Sequence, residues 1–260
     1  MQRKFYELVM SVVLLLGVFV LSKIDINDTK IHKNTLSNNI TSVSESSKKI
    51  SESSNVLVGN TDIQNSKKYV VVIDPGHGGI DSGKVAINGK YEKEINLAIS
   101  KFLKEYLENN NIEVYLTRED DNGLYKETDK NKKSSDMKKR CAIIDTKNAN
   151  VAVSIHQNSF TDDSVKGAQV FFYTHSTQGK ALASIIQQSI KDNVDKDNTR
   201  TEKSNDSYYI LINTSCPTVI VECGFLSNDE EAQLLSSKDY QKLMAKAIGD
   251  GIIDYLQNVN

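Results

Sequence analysis

Two histidines and two glutamates stand out because each lies at the end of a strand-like run or at the start of a helix. His77 occurs in VVVIDPGHGG, where Pro75 and three glycines follow a run of β-branched residues. Such a run favours a buried strand, and the glycines permit a tight turn around the imidazole. His156 ends VAVSIH, Glu222 ends TVIVE, and Glu92 opens the helix expected after the first loop. Because ligand-binding loops gather at the carboxyl ends of parallel strands, we expect these four side chains to converge.

This combination of side chains is typical of a catalytic zinc site. Two histidines and one glutamate are a recognised ligand set that leaves the fourth zinc position for water. Zinc lowers the pKa of bound water to about 7, and a second carboxylate can act as general base and then protonate the leaving group. We therefore predict Zn²⁺ bound by His77, Glu92 and His156, with Glu222 as catalytic base. Taken alone, His77 could also cap a turn, and His156 could be a core histidine.

Other side chains compete for these roles. Glu94 is as near the helix start as Glu92, and His175 lies near another strand end, where it is a rival metal ligand. Asp74 could orient a metal-bound imidazole or form an Asx turn. Cys223 would suit a Cys–His hydrolase, although a small buried thiol at that position is the simpler interpretation.

The composition limits the classes of function. The chain has 260 residues, with 32 basic and 34 acidic side chains and a formal net charge of −2. There is no global basic character for binding nucleic acid, so we expect no nucleic-acid partner. The three cysteines (Cys141, Cys216 and Cys223) do not form a disulfide framework, and we expect them to be unbridged.

The chain divides into three parts by composition. Residues 1–24 contain an apolar run that two basic residues precede, which is typical of a signal sequence or membrane anchor. Residues 25–67 are rich in Ser, Asn and Lys and are interpreted as a flexible linker. Residues 68–260 are expected to form the catalytic domain. The basic amino-terminal flank predicts that the rest of the chain is extracytoplasmic, either anchored or secreted.

Strand-like and helix-like patterns alternate in this last part, which predicts a single α/β domain. Its mainly parallel, twisted sheet should have helices on both faces. The predicted strands cover 69–74, 113–118, 151–156, 168–174 and 218–222. Helical spacing is expected over about 95–106, 136–147, 178–192 and 238–256. Ser236 and Asp239 resemble a capping box for the last helix, and residues 121–135 are expected to be an exposed insertion.

Four sequence blocks resemble one known family. DPGHGG, a downstream EK, SIHQNS and PTVIVECGFLSN occur in the order found in zinc-dependent N-acetylmuramoyl-L-alanine amidases, the Amidase_3 group. The resemblance covers about residues 68–256. It implies zinc ligands at His77, Glu92 and His156 and a catalytic base at Glu222. It also implies hydrolysis of the amide between N-acetylmuramic acid and L-alanine in peptidoglycan.

The arrangement of one catalytic domain behind an amino-terminal hydrophobic segment is most similar to the CwlD subgroup of spore-forming bacteria. This similarity implies action on spore-cortex peptidoglycan, in sequence with a peptidoglycan deacetylase that completes muramic-δ-lactam for germination. It places the protein in the cortex space of the forming spore. No wall-recognition repeat is visible in the sequence, which motivates the hypothesis of an accessory protein.

One region departs from the family pattern. The family often has Arg-x-x-x-Ala-Asn before the third strand, whereas this chain has RCAIIDTKNAN with an altered interval. Arg140, at the start of that segment, and Arg118 could bind substrate carboxylates or form structural ion pairs.

Rival functions also fit some of the sequence features. They are a vegetative cell-wall amidase, a catalytically silent peptidoglycan-binding protein of the same fold, and a zinc peptidase or deacetylase. A membrane scaffold with a structural metal is disfavoured. Structural zinc sites usually have four protein ligands rich in cysteine, and no such set is visible in the sequence.

Overall fold

The computed structural model describes residues 69–258. The predicted signal or anchor segment (1–24) and the linker (25–67) lie outside the described residues. Within residues 69–258, no helix has both the length and the apolar character needed to cross a membrane.

The described residues form one sheet with helices packed against it. The strands are β1 (Val70–Pro75), β2 (Glu113–Leu116), β3 (Val151–Asn158), β4 (Gln169–Tyr173), β5 (Lys203–Asn205) and β6 (Thr218–Phe225). The helices are α1 (Glu92–Asn109), α2 (Lys132–Thr146), α3 (Thr177–Asn193), α4 (Tyr209–Ile212), α5 (Asp229–Ser236) and α6 (Lys238–Asn258).

The sheet has the strand order β2-β1-β3-β6-β4-β5. Four of its five neighbouring pairs are parallel, and only the β4–β6 pair is antiparallel. The expectation of a single α/β domain with a mainly parallel sheet is therefore confirmed. The parallel strands β1, β3 and β6 lie side by side, so their carboxyl ends meet at one edge.

Alternate side chains of β1 show how the helices cover the two faces. Val71 and Ile73 belong to a large core that includes apolar side chains of α1, α3 and α6. Val72 points to the other face, where it joins a smaller cluster with Cys141 and Ile144 of α2. Helices thus cover both faces, as the sequence predicts, and β1 is buried because its neighbours β2 and β3 flank it.

Helix α1 follows directly from its sequence pattern. Ile95, Ile99, Leu103 and Leu107 recur every four residues and are all buried, so they form the apolar stripe that packs on the sheet. The helix ends at the asparagine run, where Asn111 has a φ of 62°. Asparagine tolerates this left-handed conformation better than most residues do. At the other end of α1, the first residue, Glu92, lies at the carboxyl edge of the sheet, where it accepts a hydrogen bond from the Gln157 backbone amide of β3.

The structure corrects several predicted boundaries. Helix α2 begins at Lys132 and not at 136, because the Asn131 side chain accepts a hydrogen bond from the Ser134 backbone amide and caps the helix. The predicted insertion at 121–135 therefore contains the first turn of α2. Strand β5 and helices α4 and α5 were not predicted; β5 is only three residues long and α4 only four.

The capping box predicted at Ser236 and Asp239 is wrong. The Ser236 hydroxyl donates instead to the Ala232 carbonyl within α5. Ser237 lies directly before α6, and its hydroxyl accepts from the backbone amide of Tyr240. Ser236 is the last residue of the short helix α5, so the residue that caps α6 is Ser237.

Candidate active site

His77 lies in the loop after β1, in a backbone conformation that needs support. Its φ is 62°, which is unusual for a residue with a side chain. The Arg140 guanidinium donates to the His77 carbonyl at 2.5 Å and to the Pro75 carbonyl at 2.8 Å. The buried Arg140 guanidinium therefore stabilises the loop, and the His77 imidazole lies at the carboxyl edge of the sheet.

Glu92 is the first residue of α1 and is 2% exposed. Its Oε2 accepts from the Lys84 backbone amide at 2.8 Å, and its Oε1 accepts from the Gln157 backbone amide at 3.0 Å. The amino end of the helix also favours a negative charge. The carboxylate is thus fixed between the loop after β1 and the end of β3.

His156 lies on β3 and is paired in register with Glu222 on β6. The imidazole packs against Gly76, where a Cβ atom would come within 2.3 Å of the ring. Only glycine fits at this position, which explains one of the glycines in DPGHGG. The β3–β6 register shifts between His156 and Asn158, so the strand is irregular just after the histidine.

The three predicted ligand side chains come together. Glu92 Oε1 lies 3.1 Å from His77 Nε2 and 3.1 Å from His156 Nδ1. One ligand atom from each side chain lies within 4.8 Å of the other two. Neutral imidazole nitrogens and a carboxylate oxygen are the donor atoms that zinc prefers, and three ligands leave a position open for catalysis. The residues present therefore fit a zinc ion.

Electrostatics keep the Glu92 carboxylate ionised. Burial raises its pKa, but hydrogen bonds from His156 and His77 and their charges outweigh burial and hold the pKa of Glu92 well below its usual range. The same contacts raise the pKa of His156, against the opposing effect of burial. Both imidazoles lie within hydrogen-bond distance of the same oxygen of Glu92. A divalent cation bound between the three side chains would take the place of these hydrogen bonds.

Glu222 lies at the same edge but has a different environment. It is partly exposed, yet its Oε2 is excluded from solvent and has no hydrogen-bond partner among the described residues. Burial and the nearby Glu92 raise its pKa to about 6, against the favourable charges of His156 and His77. A carboxyl group with such a pKa can both accept and release a proton near neutral pH.

These side chains line a cleft of about 850 Å³. Besides the groups already described, its lining includes the first two lysines of α2 and two tyrosines at the start of α4 (Lys132, Lys133, Tyr208 and Tyr209). The size is in the range of clefts that bind small molecules and short chains. The predicted site residues thus share one substrate-sized opening.

The rival residues from the sequence lie elsewhere. Glu94 is exposed on α1. His175 is also exposed and follows β4, whose antiparallel direction puts its carboxyl end at the opposite edge of the sheet; its ring contacts Tyr173. Cys223 is completely buried, and burial raises the pKa of its thiol, so it is not an activated nucleophile. Cys223 and the other two cysteines are unbridged, as expected.

The two arginines that the sequence left open are structural. Arg140 is 1% exposed and bonds Asp74 Oδ1 at 2.7 Å and Asp136 Oδ2 at 2.5 Å. Arg118 is 3% exposed and donates to the backbone carbonyls of Pro75 and Gly76. Neither guanidinium is free for a substrate carboxylate.

Asp74 makes no hydrogen bond to either histidine of the site. Its oxygens accept hydrogen bonds from Thr117, Arg140 and Ser154. It neither orients an imidazole directly nor forms an Asx turn. Its role is to connect β1, β3 and α2 beneath the loop that carries His77.

Two buried amides near the site, Asn96 and Gln157, were not predicted from the sequence. Asn96 is completely buried one turn after Glu92, and Gln157 directly follows His156. The available signal was the polar residue at an inward-facing helical position in EKEIN, because an amide there must find partners.

Comparisons with known proteins point to one family. Residues 71–254 match the family model described as N-acetylmuramoyl-L-alanine amidase. The chain is 34% identical over 190 residues to the germination-specific N-acetylmuramoyl-L-alanine amidase of Bacillus subtilis, covering 72% of this chain and 79% of that protein.

Solved structures show the same likeness. The CwlD amidase from Clostridioides difficile, solved in complex with the GerS lipoprotein, is 42% identical with a TM-score of 0.71, over 73% of this chain and 99% of that one. An N-acetylmuramoyl-L-alanine amidase from Clostridium difficile 630 is 31% identical with a TM-score of 0.67, over 75% of this chain and 100% of that one. The described fold and the family match together show that this chain belongs to the N-acetylmuramoyl-L-alanine amidase family, whose members are generally zinc-dependent.

Proposed function

We propose that this amidase uses zinc bound by His77, Glu92 and His156, with Glu222 as its catalytic base. The observation that supports it best is the convergence of two imidazole nitrogens on Glu92 Oε1, each at 3.1 Å. Zinc bound there would supply Lewis acidity and a nucleophile at neutral pH. The chain's own residues supply the remaining steps.

Glu222 moves the proton. Its Oε2, which lacks a partner within the described protein, accepts a proton from the attacking water and then delivers it to the alanine nitrogen as the amide bond breaks. Register pairing with His156 fixes the backbone of Glu222 next to the ligand set. The muramic-acid carbonyl carbon gains the water oxygen, and the stem peptide leaves with a free amino terminus.

The proposed substrate is spore-cortex peptidoglycan, on the way to muramic-δ-lactam. The relatives named germination-specific amidase and CwlD support this narrower role. Removing the stem peptide exposes the lactyl carboxylate, which must then meet a free amine for the lactam ring to close. A peptidoglycan deacetylase supplies that amine, so the two enzymes act in sequence.

Localisation and partners follow from the substrate. Peptidoglycan lies outside the cytoplasm, and we propose that residues 1–24 export or anchor the chain and residues 25–67 let the domain at 68–260 reach it. The Clostridioides difficile amidase was solved in complex with a lipoprotein. A comparable accessory protein is proposed for this chain.

The chemistry is tested with the purified full-length chain, in detergent, on isolated peptidoglycan. Mass spectrometry of the released material should find peptides that begin with L-alanine, only when zinc has been restored after chelation. Release without any divalent metal would overturn the zinc assignment. Peptides cut at another bond would overturn the amidase reaction itself.

The cortex role is tested separately, in a Bacillus subtilis strain that lacks its germination-specific amidase. Expression of this chain during sporulation should restore muramic-δ-lactam in the cortex, measured by muropeptide analysis. Full in vitro activity without restored lactam would leave the amidase standing and would refute the cortex assignment. The accessory protein is refuted if the chain alone binds zinc fully and cuts wall material at an ordinary amidase rate.

A further inference from the structure

One buried amide joins the three chain segments that carry the proposed zinc ligands. Asn96 is 0% exposed, one turn after Glu92 on α1. Its Nδ2 donates to the Gly76 carbonyl at 3.2 Å and to Glu92 Oε1 at 3.4 Å. Its Oδ1 accepts from Gln157 Nε2 at 3.0 Å. Gly76 precedes His77, and Gln157 follows His156.

The partners define which way the Asn96 amide faces. The Gly76 carbonyl and the Glu92 carboxylate are acceptors only, so they require the NH₂ group of Asn96. Gln157 presents its own NH₂ group to the remaining oxygen of Asn96. Both ends of the Asn96 amide are therefore used, and a flipped amide would place like groups together on both sides.

Gln157 makes a second connection to the same place. Its backbone amide donates to Glu92 Oε1 at 3.0 Å, while its side chain holds Asn96. The Glu92 oxygen that both histidines approach is thus supported by two amide groups. Asn96 does not line the cleft, and neither Asn96 nor Gln157 belongs to the group of side chains whose ligand atoms converge at the proposed zinc site.

We propose that Asn96 is a positioning residue that preorganises His77, Glu92 and His156 for zinc before the metal arrives. The inference rests on the proposed function, in which these three side chains bind the metal. Fully buried hydrogen bonds in a low-dielectric interior are costly to break, so Asn96 limits rotation of the Glu92 carboxylate and shift of the Gly76 backbone. Outer-shell partners of this kind typically change metal affinity by roughly 10–100-fold when removed.

Asn96→Asp is the main test, because it keeps the shape of the side chain. It removes both donated hydrogen bonds and places a second carboxylate beside Glu92, while the oxygen that accepts from Gln157 remains. Gln157→Met is the second variant, since it removes the side-chain bond to Asn96 and preserves the backbone bond to Glu92. If Asn96→Asp does not fold, Gln157→Met tests the positioning role of Asn96 on its own.

Ser100→Ala is the matched control. Ser100 lies one turn further along α1, is also 0% exposed, and its hydroxyl has no hydrogen-bond partner among the described residues. It changes a buried polar residue on the same helix without touching the ligand segments. Zinc affinity and turnover of this variant should match those of the unchanged chain.

The full-length chain and its variants are compared by zinc competition against a chelator, by the visible spectrum of the Co²⁺-substituted protein, and by kcat and KM at saturating zinc. For Asn96→Asp we expect the zinc Kd to rise about 10–100-fold, with an altered Co²⁺ spectrum, lower kcat and nearly unchanged KM. Gln157→Met should show the same pattern with a smaller rise.

The outcomes separate the two proposals. If the unchanged chain does not bind zinc, the proposed function fails and the positioning role fails with it. If the unchanged chain binds zinc and both variants behave like Ser100→Ala in Kd and Co²⁺ spectrum, only the role of Asn96 is overturned. A loss of thermal stability with unchanged zinc Kd would likewise assign Asn96 a purely structural role.

Discussion

Asp74 and Glu222 are acidic residues at the same edge of one sheet, and their surroundings differ. Asp74 accepts hydrogen bonds from Thr117, Ser154 and Arg140, and although burial opposes ionisation, Arg140 and the hydroxyls hold its pKa below the usual value. Glu222 has a buried oxygen with no partner among the described residues, and burial raises its pKa to about 6.

This difference in hydrogen-bond partners distinguishes a carboxylate that stabilises the fold from one that can take part in catalysis. Both oxygens of Asp74 accept hydrogen bonds from protein groups, so this carboxylate stabilises the fold and is held in place by structural donors. A carboxylate left without partners weakens the fold and remains available to substrate. We therefore expect changes at Glu222 to affect turnover, and changes around Asp74 to affect stability.

The largest expected effect is on turnover, from Glu222→Gln. Loss of a general base typically lowers kcat by 10²–10⁴-fold, and we expect a fall of about 1,000-fold. Zinc content and melting temperature should stay the same or rise slightly, because no internal hydrogen bond of the buried oxygen is lost. Activity assays on peptidoglycan beside metal analysis check this; retained turnover would remove Glu222 from the mechanism.

The next largest effect is on stability, from Asp74→Asn. Breaking a buried ion pair from one side leaves Arg140 partly uncompensated, and we expect the free energy of unfolding to fall by about 3 kcal/mol. Asp136 still pairs with Arg140 and limits the loss. Urea denaturation measures the change. A cost below about 1 kcal/mol would show that this pair behaves like a surface salt bridge.

A smaller effect is expected from Ser154→Ala, which removes one hydrogen bond to Asp74. Hydrogen bonds to charged groups contribute about 1.5–3 kcal/mol, and two donors to Asp74 remain, so we expect about 1.5 kcal/mol. Urea denaturation checks the stability, while kcat should be within about twofold of the unchanged chain. A large fall in kcat at unchanged stability would instead place Ser154 in the chemistry.

The smallest expected effect is the pH dependence of the contribution of Asp74 to the free energy of unfolding. Because the pKa of Asp74 is lower in the folded chain than its usual 3.8, its contribution to stability is complete above about pH 4 and is lost as pH falls through the folded value. The stability difference between the unchanged chain and Asp74→Asn should therefore be constant from pH 7 to about 4 and narrow below. Denaturation of the metal-free proteins checks this, and narrowing already above pH 5 would contradict the lowered pKa.

Much of the architecture was readable from the sequence because apolar periodicity and turn residues mark it directly. The strand before His77 and the helix after Glu92 follow from β-branched runs and four-residue spacing. The convergence of His77, His156 and Glu222 follows from the parallel arrangement of their strands. Strand β5, which is short, polar and largely exposed, has no such signal.

What the sequence could not decide depends on contacts between distant residues. A run such as AQVFFYT does not reveal strand direction, and only the antiparallel pairing of β4 with β6 removes His175 from the site. Arg140 fits either a substrate site or an ion pair until Asp74 and Asp136 are placed beside it. The role of Asn96 likewise becomes visible only with its partners in place, Gly76 in the loop after β1 and Gln157 on β3.

The position of β6 has a consequence for biosynthesis. It is the last strand of the described sheet in chain order, yet it lies between β3 and β4. A nascent chain that has emerged only as far as β5 therefore exposes the edges of β3 and β4 that β6 later covers. The long-range pairing of these two strands must wait for β6. Since β6 also brings Glu222, the proposed base enters the sheet in the same event that closes it, and an incompletely folded chain would lack the means to cut a wall.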